Sequence, residues 1–135
     1  MHELTLSATL ENVPKVTEFV DEQLEAHGCS MKAQTQIDIA IDELFSNIAN
    51  YAYNPEIGPA TVRVSVEGDP LTVTIIFIDR GVPYNPLEKE DPDIGLSAEE
   101  RQIGGLGIFM VKRLMDDMTY EYRDGQNILM IRKTV

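Results

Sequence analysis

The chain has 135 residues, 43% of them hydrophobic, and a formal net charge of −12 from 23 acidic and 11 basic side chains. This length and composition predict one folded domain over residues 1–135, and so acidic a surface argues against direct binding to nucleic acid or to a membrane. With a single cysteine, no apolar run long enough to span a bilayer and no signal-peptide pattern at the start, we expect a cytoplasmic protein without an intrachain disulfide.

The first part of the chain predicts one strand followed by two helices. Apolar residues alternate with polar ones from Leu4 to Leu10, which is the pattern of a half-buried strand. Apolar side chains then recur at helical spacing between Asn12, a candidate N-cap, and Gly28, a candidate helix stop. A second apolar stripe at helical spacing runs through residues 32–53 and predicts the second helix.

The rest of the chain predicts two hairpins, with a long loop and a third helix between them. The segments TVRVSVE (residues 61–67) and LTVTIIFID (residues 71–79) predict strands joined by a tight turn. Residues 80–103 contain three prolines and many charges, which predicts a loop of a length that is more often functional than incidental. A helix over residues 105–115 and a hairpin around Asp124-Gly125 complete an α+β two-layer sandwich, with a mixed, mostly antiparallel sheet and helices on one face.

Glu43 and Asn47 are the first candidate functional residues. They lie four positions apart and therefore share one face of the second predicted helix. A carboxylate beside a carboxamide suits a site where one group accepts a proton and the other binds a hard cation such as Mg²⁺. The same spacing is also typical of a solvated polar helix face, so these two residues alone leave both interpretations open.

Two glycine-containing segments suit the binding of a nucleotide. Asp79-Arg80-Gly81 ends an apolar strand, where a carboxylate can accept a hydrogen bond from an exocyclic amine and a glycine admits a flat ligand. Gly104-Gly105-Leu106-Gly107 opens the third predicted helix, and the backbone N–H groups at a helix N-terminus form an anion site suited to phosphates. Taken alone, the first segment also fits an ordinary turn and the second a flexible hinge.

In this order, and with a long loop before the second glycine segment, the motifs resemble the GHKL ATPase superfamily. The run GGLGIFMVKRLMDD (residues 104–117) is similar, within it, to the bacterial anti-sigma-factor serine kinases. The resemblance covers residues 4–133 and matches the N-box to ELFSNIANYAY (residues 43–53), the first glycine box to residues 79–81 and the second to residues 104–107. It implies the histidine-kinase-like ATPase fold.

The resemblance also implies roles for the residues around the base and the metal. Glu43 would be the general base and Asn47 would be the Mg²⁺ ligand. Asp79 would accept a hydrogen bond from the adenine amino group, with Gly81 beneath the ring. These roles imply ATP and Mg²⁺ as the cofactors.

Roles for residues around the phosphates follow from the same resemblance. Gly104, Gly105 and Gly107 would hold the phosphates, and residues 84–103 would form a lid over ATP. Arg101 is the nearest basic candidate for a charge clamp on the γ-phosphate, although an arginine in this position also fits a solvated lid residue.

The implied activity is that of an ATP-dependent protein serine/threonine kinase and anti-sigma factor. Such a protein transfers the γ-phosphoryl group to a serine or threonine of an anti-sigma-factor antagonist and also binds a sigma factor; a homodimer is left open. One departure from the superfamily leaves open an alternative to the kinase function, which is a non-catalytic nucleotide-gated protein-binding module of the same fold. The superfamily often has a Gly-x-Thr turn near its end that helps to hold phosphate, whereas residues 124–127 here read Asp-Gly-Gln-Asn.

Overall fold

A five-stranded antiparallel sheet forms one layer of the fold in the computed structural model, which describes residues 1–88 and 103–135. The sheet order is β1-β2-β3-β5-β4, and every neighbouring pair is antiparallel. This confirms the predicted α+β sandwich. The sheet, which was expected to be mixed and mostly antiparallel, is fully antiparallel. The strands are β1 (His2–Ser7), β2 (Pro59–Glu67), β3 (Thr72–Asp79), β4 (Asp117–Arg123) and β5 (Gln126–Thr134).

The central strand β3 explains how a carboxylate comes to face the helices. Successive side chains of a strand point to opposite faces, so Val73, Ile75 and Phe77 all point to the helical layer and are buried. Asp79 is the next residue in this series and is also buried. The inward face of β3 is apolar except at its last residue, where the alternation of the strand directs the Asp79 carboxylate toward the helices.

The helical layer begins with α1 (Val13–Ala26), which buries Val16, Val20 and Leu24 at a spacing of four. Asn12 is the residue that precedes α1, as expected, but its side chain makes no capping hydrogen bond, and a 3-10 turn over Leu10–Asn12 already gives it a helical backbone. Its side-chain Nδ2 instead donates a hydrogen bond to the Ser7 carbonyl oxygen at 2.8 Å. Asn12 therefore ties the start of the helical layer to the end of β1.

The second helix, α2 (Met31–Asn47), begins at a capped serine and continues into an irregular turn. The Ser30 hydroxyl oxygen accepts a hydrogen bond from the Ala33 N–H at 3.1 Å. After Asn47 the chain continues as a π-helical turn over Ile48–Ala52, so the two pieces together cover the predicted helical stretch. Turns of this kind are frequent at functional sites, and this one brings the end of the helix to the end of β3.

The third helix, α3 (Ile103–Leu114), packs on α2 and buries Ile108 and Val111. It begins two residues earlier than predicted, so the glycine segment forms its first turns. The Lys133 ammonium group on β5 donates to the Leu114 carbonyl oxygen at 2.8 Å, which satisfies a carbonyl at the C-terminus of α3. Within the described residues, no helix is both long and apolar enough to cross a membrane.

Candidate active site

A cavity opens where α2 passes the end of β3, with about 480 Å³ of space including its open mouth. Leu44 and Phe77 contribute to its mostly apolar lining. Its polar residues include Asn47 from α2, Asp79 from β3 and Asn127 from β5. An apolar space with a few placed polar groups is the kind of site that a planar heterocycle such as a nucleobase occupies.

Asp79 is the acidic group of this cavity, and only 6% of its surface is exposed. Its Oδ1 atom accepts hydrogen bonds from the Gly81 N–H and from Asn127 Nδ2, both at 2.9 Å. Burial raises the pKa of Asp79, because the charged form loses water, and the two hydrogen bonds act in the opposite direction. A carboxylate so placed can accept a hydrogen bond from an exocyclic amine.

Gly81 lies against the end of the helical segment that follows α2. A Cβ atom at residue 81 would overlap the carbonyl group of Ala52, so this contact excludes a side chain. The next residue, Val82, donates its N–H to the same carbonyl oxygen at 2.9 Å. The loop after β3 is therefore fixed to the π-helical turn, and this contact gives a packing reason for glycine at residue 81.

Glu43 and Asn47 lie on the same stretch of α2, but they meet different neighbours. Asn47 lines the cavity with Asp79. The carboxylate of half-buried Glu43 lies beside Gly107 on α3, where a Cβ atom would overlap it. The two N-box residues therefore lie near different glycine segments. Asn47 lies near Asp79 of the first segment, and Glu43 lies beside Gly107 of the second.

Gly104 and Gly105 lie in the first turn of α3, while Gly107 lies one turn further along. In a helix that begins at residue 103, the N–H groups of residues 104 and 105 have no acceptor inside the helix, and that of residue 107 has one. The first two glycines thus have the backbone geometry of a helix N-terminal anion site. The phosphate contacts of all three remain a prediction.

Two other predictions concern the part of the chain outside the described residues. Arg101, the candidate charge clamp, lies there. So do residues 89–102 of the segment 84–103 that the resemblance assigns to a lid. Before them, Pro86–Glu88 forms a short 3-10 turn, and Pro86 contributes to the cavity lining.

Sequence reasoning missed Asn127 and two tyrosines, Tyr84 and Tyr120, that line the same cavity. In the sequence, residues 124–127 differ from the superfamily pattern by lacking the threonine. In the sheet, Asn127 is the direct cross-strand partner of Asp79, and its side chain hydrogen-bonds to the carboxylate. Residue types do not show the register of β3 with β5, and it is this register that sets the first inward residue of β5 beside the last inward residue of β3.

The donor set restricts how a divalent cation could bind here. Within the described ranges, no group of three or more His, Cys, Asp or Glu side chains could hold a metal ion. Mg²⁺ commonly takes only one or two protein ligands and completes its shell with substrate phosphates and water. A single amide oxygen, such as that of Asn47 at the wall of the cavity, fits a metal held chiefly by a nucleotide.

Comparison with known proteins gives a consistent result. Residues 6–133 match the histidine kinase-like ATPase domain. The chain is 27% identical over 100 residues to the serine/threonine-protein kinase BtrW of Bordetella bronchiseptica, covering 74% of this chain and 70% of that protein. It is 31% identical over 110 residues to the serine-protein kinase RsbW of Listeria monocytogenes (78% and 69% covered) and 32% identical over 109 residues to RsbW of Bacillus mycoides (78% and 67% covered).

Proposed function

The chain belongs to the histidine kinase-like ATPase domain family, and from that premise we propose that it is an ATP-dependent serine/threonine-protein kinase that acts as an anti-sigma factor. A domain of this family uses ATP. The relatives named above are protein kinases, which favours this function over the non-catalytic binding module. The observation that carries the proposal is the cavity beside α2, because it joins a buried carboxylate, Asp79, to an amide, Asn47, in one apolar space.

Binding of the base is the first step of the proposed function. Adenine carries an exocyclic amine that donates hydrogen bonds, and Asp79 is the carboxylate that would accept one of them. The apolar lining, which includes Phe77 and Leu44, would cover the ring faces and exclude water. The phosphates would then extend toward the first turn of α3, where the N–H groups of Gly104 and Gly105 have no acceptor inside the helix.

The chemical step requires a metal, a base and a charge clamp. A bound Mg²⁺ ion supplies neutralisation of the phosphate charge, and the amide oxygen of Asn47 would be its protein ligand. Glu43, one helical turn away, would accept the proton of the incoming serine or threonine hydroxyl or orient that hydroxyl. Arg101 would be the charge clamp on the γ-phosphate.

The partners follow from the resemblance to anti-sigma-factor kinases. We propose that the phosphoryl acceptor is an anti-sigma-factor antagonist and that a sigma factor binds the same single domain, as a monomer or a homodimer. A net charge of −12 favours partners whose contact surfaces are basic. Because the reaction consumes ATP and regulates transcription, we place the protein in the cytoplasm.

Phosphoryl transfer tests this function directly. The chain is incubated with γ-labelled ATP, Mg²⁺ and each anti-sigma-factor antagonist encoded in the same genome, and ADP affinity is measured separately. We expect label on a serine or threonine of one antagonist, and Glu43→Gln should lower the rate by about 10²–10⁴-fold. The matched control is Asp42→Asn, which removes the same charge from an exposed neighbour on α2.

Each other outcome has a distinct meaning. A wild-type chain that binds ADP but labels no antagonist would favour the nucleotide-gated binding module. A Glu43→Gln chain that transfers phosphate at the wild-type rate would remove Glu43 from the role of base. Failure to bind ADP or ATP would contradict the proposed function as a whole.

A further inference from the structure

The side chain of Asn127 uses its whole hydrogen-bonding capacity at the floor of the cavity. It is 6% exposed. Its Oδ1 atom accepts from the Tyr84 N–H at 3.2 Å and from the Tyr120 hydroxyl. Its Nδ2 atom donates to Asp79 Oδ1 at 2.9 Å and to the Val82 carbonyl oxygen at 3.0 Å. These four partners belong to the end of β3, to the loop that follows it and to β4.

These partners determine which end of the amide faces Asp79. Two donors, the Tyr84 N–H and the Tyr120 hydroxyl, converge on one end of the amide, so that end must be the oxygen. The amide nitrogen is therefore directed at Asp79 and at the carbonyl of Val82. A rotated amide would set oxygen against oxygen at both acceptors, which the buried site disfavours.

This arrangement gives the two oxygens of the Asp79 carboxylate different hydrogen-bonding environments. Oδ1 accepts both the Asn127 and the Gly81 hydrogen bonds, and Oδ2 receives none from the residues that the structure describes. Asp79 also lines the cavity, so the second oxygen is the acceptor available to a ligand there. A charged carboxylate oxygen attracts the exocyclic amine of adenine and repels the carbonyl oxygen that hypoxanthine carries at the same ring position.

We propose that Asn127 is a positioning residue that makes this nucleotide site selective for adenine, by holding Asp79 Oδ1 so that Oδ2 is presented to the base. The proposal rests on the proposed function, since it takes the cavity to be the ATP site. Asn127 acts only through Asp79 in this account. The hydrogen bond from Asn127 also opposes the rise in the Asp79 pKa that burial causes, and so favours the charged form that accepts the amine.

A matched pair of variants tests the proposal. Asn127→Thr and Asn127→Val have nearly the same size and shape and both suit a strand, but only threonine keeps a hydrogen-bond donor. Threonine is also the residue that the resembled superfamily often carries at the end of this turn. Affinities for ADP and for inosine diphosphate, which lacks the amine, are measured by calorimetry on the full chain with Mg²⁺, after circular dichroism confirms folding.

The ratio of the two affinities is the readout, because general damage to the site weakens both nucleotides alike. We expect the wild-type chain to prefer ADP by about tenfold or more, since one hydrogen bond to a charged group is at stake. Asn127→Thr should keep that preference within about threefold, and Asn127→Val should lose about tenfold of it.

Other results separate the inference from the proposed function. If the threonine and valine variants show the same ratio, or if the wild-type chain binds ADP without preference over inosine diphosphate, the selective role of Asn127 is wrong while nucleotide binding stands. If the wild-type chain binds neither nucleotide, the proposed function fails and this inference fails with it.

Discussion

The carboxylate of Glu43 occupies the space that a side chain at Gly107 would fill. Glu43 belongs to α2 and Gly107 to α3, so the contact joins the two helices beside the nucleotide cavity. A glycine at this point of α3 costs helical stability compared with alanine, and the close approach of Glu43 explains why a side chain is excluded. The absence of a side chain at residue 107 therefore leaves the space that the Glu43 carboxylate occupies.

Replacing Gly107 should lower the rate of phosphoryl transfer but leave the free energy of unfolding nearly unchanged. In Gly107→Ala the new methyl group displaces the flexible end of Glu43, so we expect phosphoryl transfer to fall by about 10²–10⁴-fold, as for loss of a general base. The free energy of unfolding should change by less than about 1 kcal/mol, because alanine favours the helix and offsets the displacement. Rates of labelled phosphate transfer and urea unfolding measure the two effects.

A control on the same helix distinguishes this effect from a general change in α3. Met110→Ala alters an exposed position, 45% accessible, and should leave the transfer rate within about twofold of wild type. A Gly107→Ala chain with normal activity would show that Glu43 tolerates the displacement or takes no part in the reaction.

Asp79→Asn should weaken ADP binding and yet stabilise the fold at neutral pH. The carboxamide can present its NH₂ group to the adenine amine, and loss of the charged acceptor costs about 1–3 kcal/mol of binding. Burial raises the pKa of Asp79, so the folded state holds the charged form at a cost that grows as pH rises above the usual carboxyl range. Asparagine carries no such cost and keeps an oxygen for the Gly81 and Asn127 donors.

Calorimetry at several pH values checks the binding part, and urea unfolding at pH 7 checks the stability part. In the wild-type chain, ADP affinity should fall as pH drops through the raised pKa of Asp79, because the protonated carboxyl accepts the amine poorly. In Asp79→Asn this decline should disappear. An unchanged ADP affinity at pH 7 would remove Asp79 from the base site.

Much of the fold was predictable because periodicity reports which side chains are buried. Strand alternation around Val73, Ile75 and Phe77 and the helical stripe of α2 gave the two layers and their order along the chain. The partners of single side chains were less predictable, as at Asn12, which precedes α1 as expected but donates its side-chain N–H to the Ser7 carbonyl oxygen.

The site was predictable only where a motif is local in sequence. Glu43 and Asn47 are one helical turn apart, and Asp79 and Gly81 are two residues apart at the end of a strand, so both spacings are visible in the sequence. Asn127 is 48 residues from Asp79 along the chain, and only the pairing of β3 with β5 brings them together. Periodicity does not report the register of distant strands, so this hydrogen bond could not be found from residue types.

Tyr53 links three segments through one hydroxyl group. It donates to the Pro59 carbonyl oxygen at 2.6 Å and accepts from the Arg80 N–H at 2.8 Å. Tyr53→Phe leaves both backbone groups without this partner, so we expect a loss of about 1–3 kcal/mol in the free energy of unfolding by urea. Tyr51→Phe, at a side chain 56% exposed on the same turn, is the control and should change it by less than about 0.5 kcal/mol. Equal effects of the two substitutions would contradict the linking role.

Asp21 on α1 and Asp38 on α2 form a carboxyl pair between the two helices. The Oδ1 atoms of both are out of contact with solvent and have no hydrogen-bond donor in the described part of the chain. Burial, the hydrogen bond between the two carboxyls and the charges of Asp21 and Glu25 raise the pKa of Asp38 to about 8. The pair therefore shares a proton at neutral pH and loses it in mildly alkaline solution.

This pair should make the stability of the fold depend on pH. The folded state holds a proton that the unfolded state releases at about pH 4, so the free energy of unfolding should decline as pH rises from about 4 to about 8 and level off above that. Asp38→Asn replaces the shared proton with a permanent N–H donor to Asp21, so its stability should vary less over this range and exceed wild type at pH 8. Urea unfolding at pH 5 and pH 8 measures both, with exposed Asp42→Asn as the control for simple loss of negative charge on α2. A decline from pH 5 to pH 8 that is as steep in Asp38→Asn as in the wild-type chain would show that the carboxyl pair is not its cause.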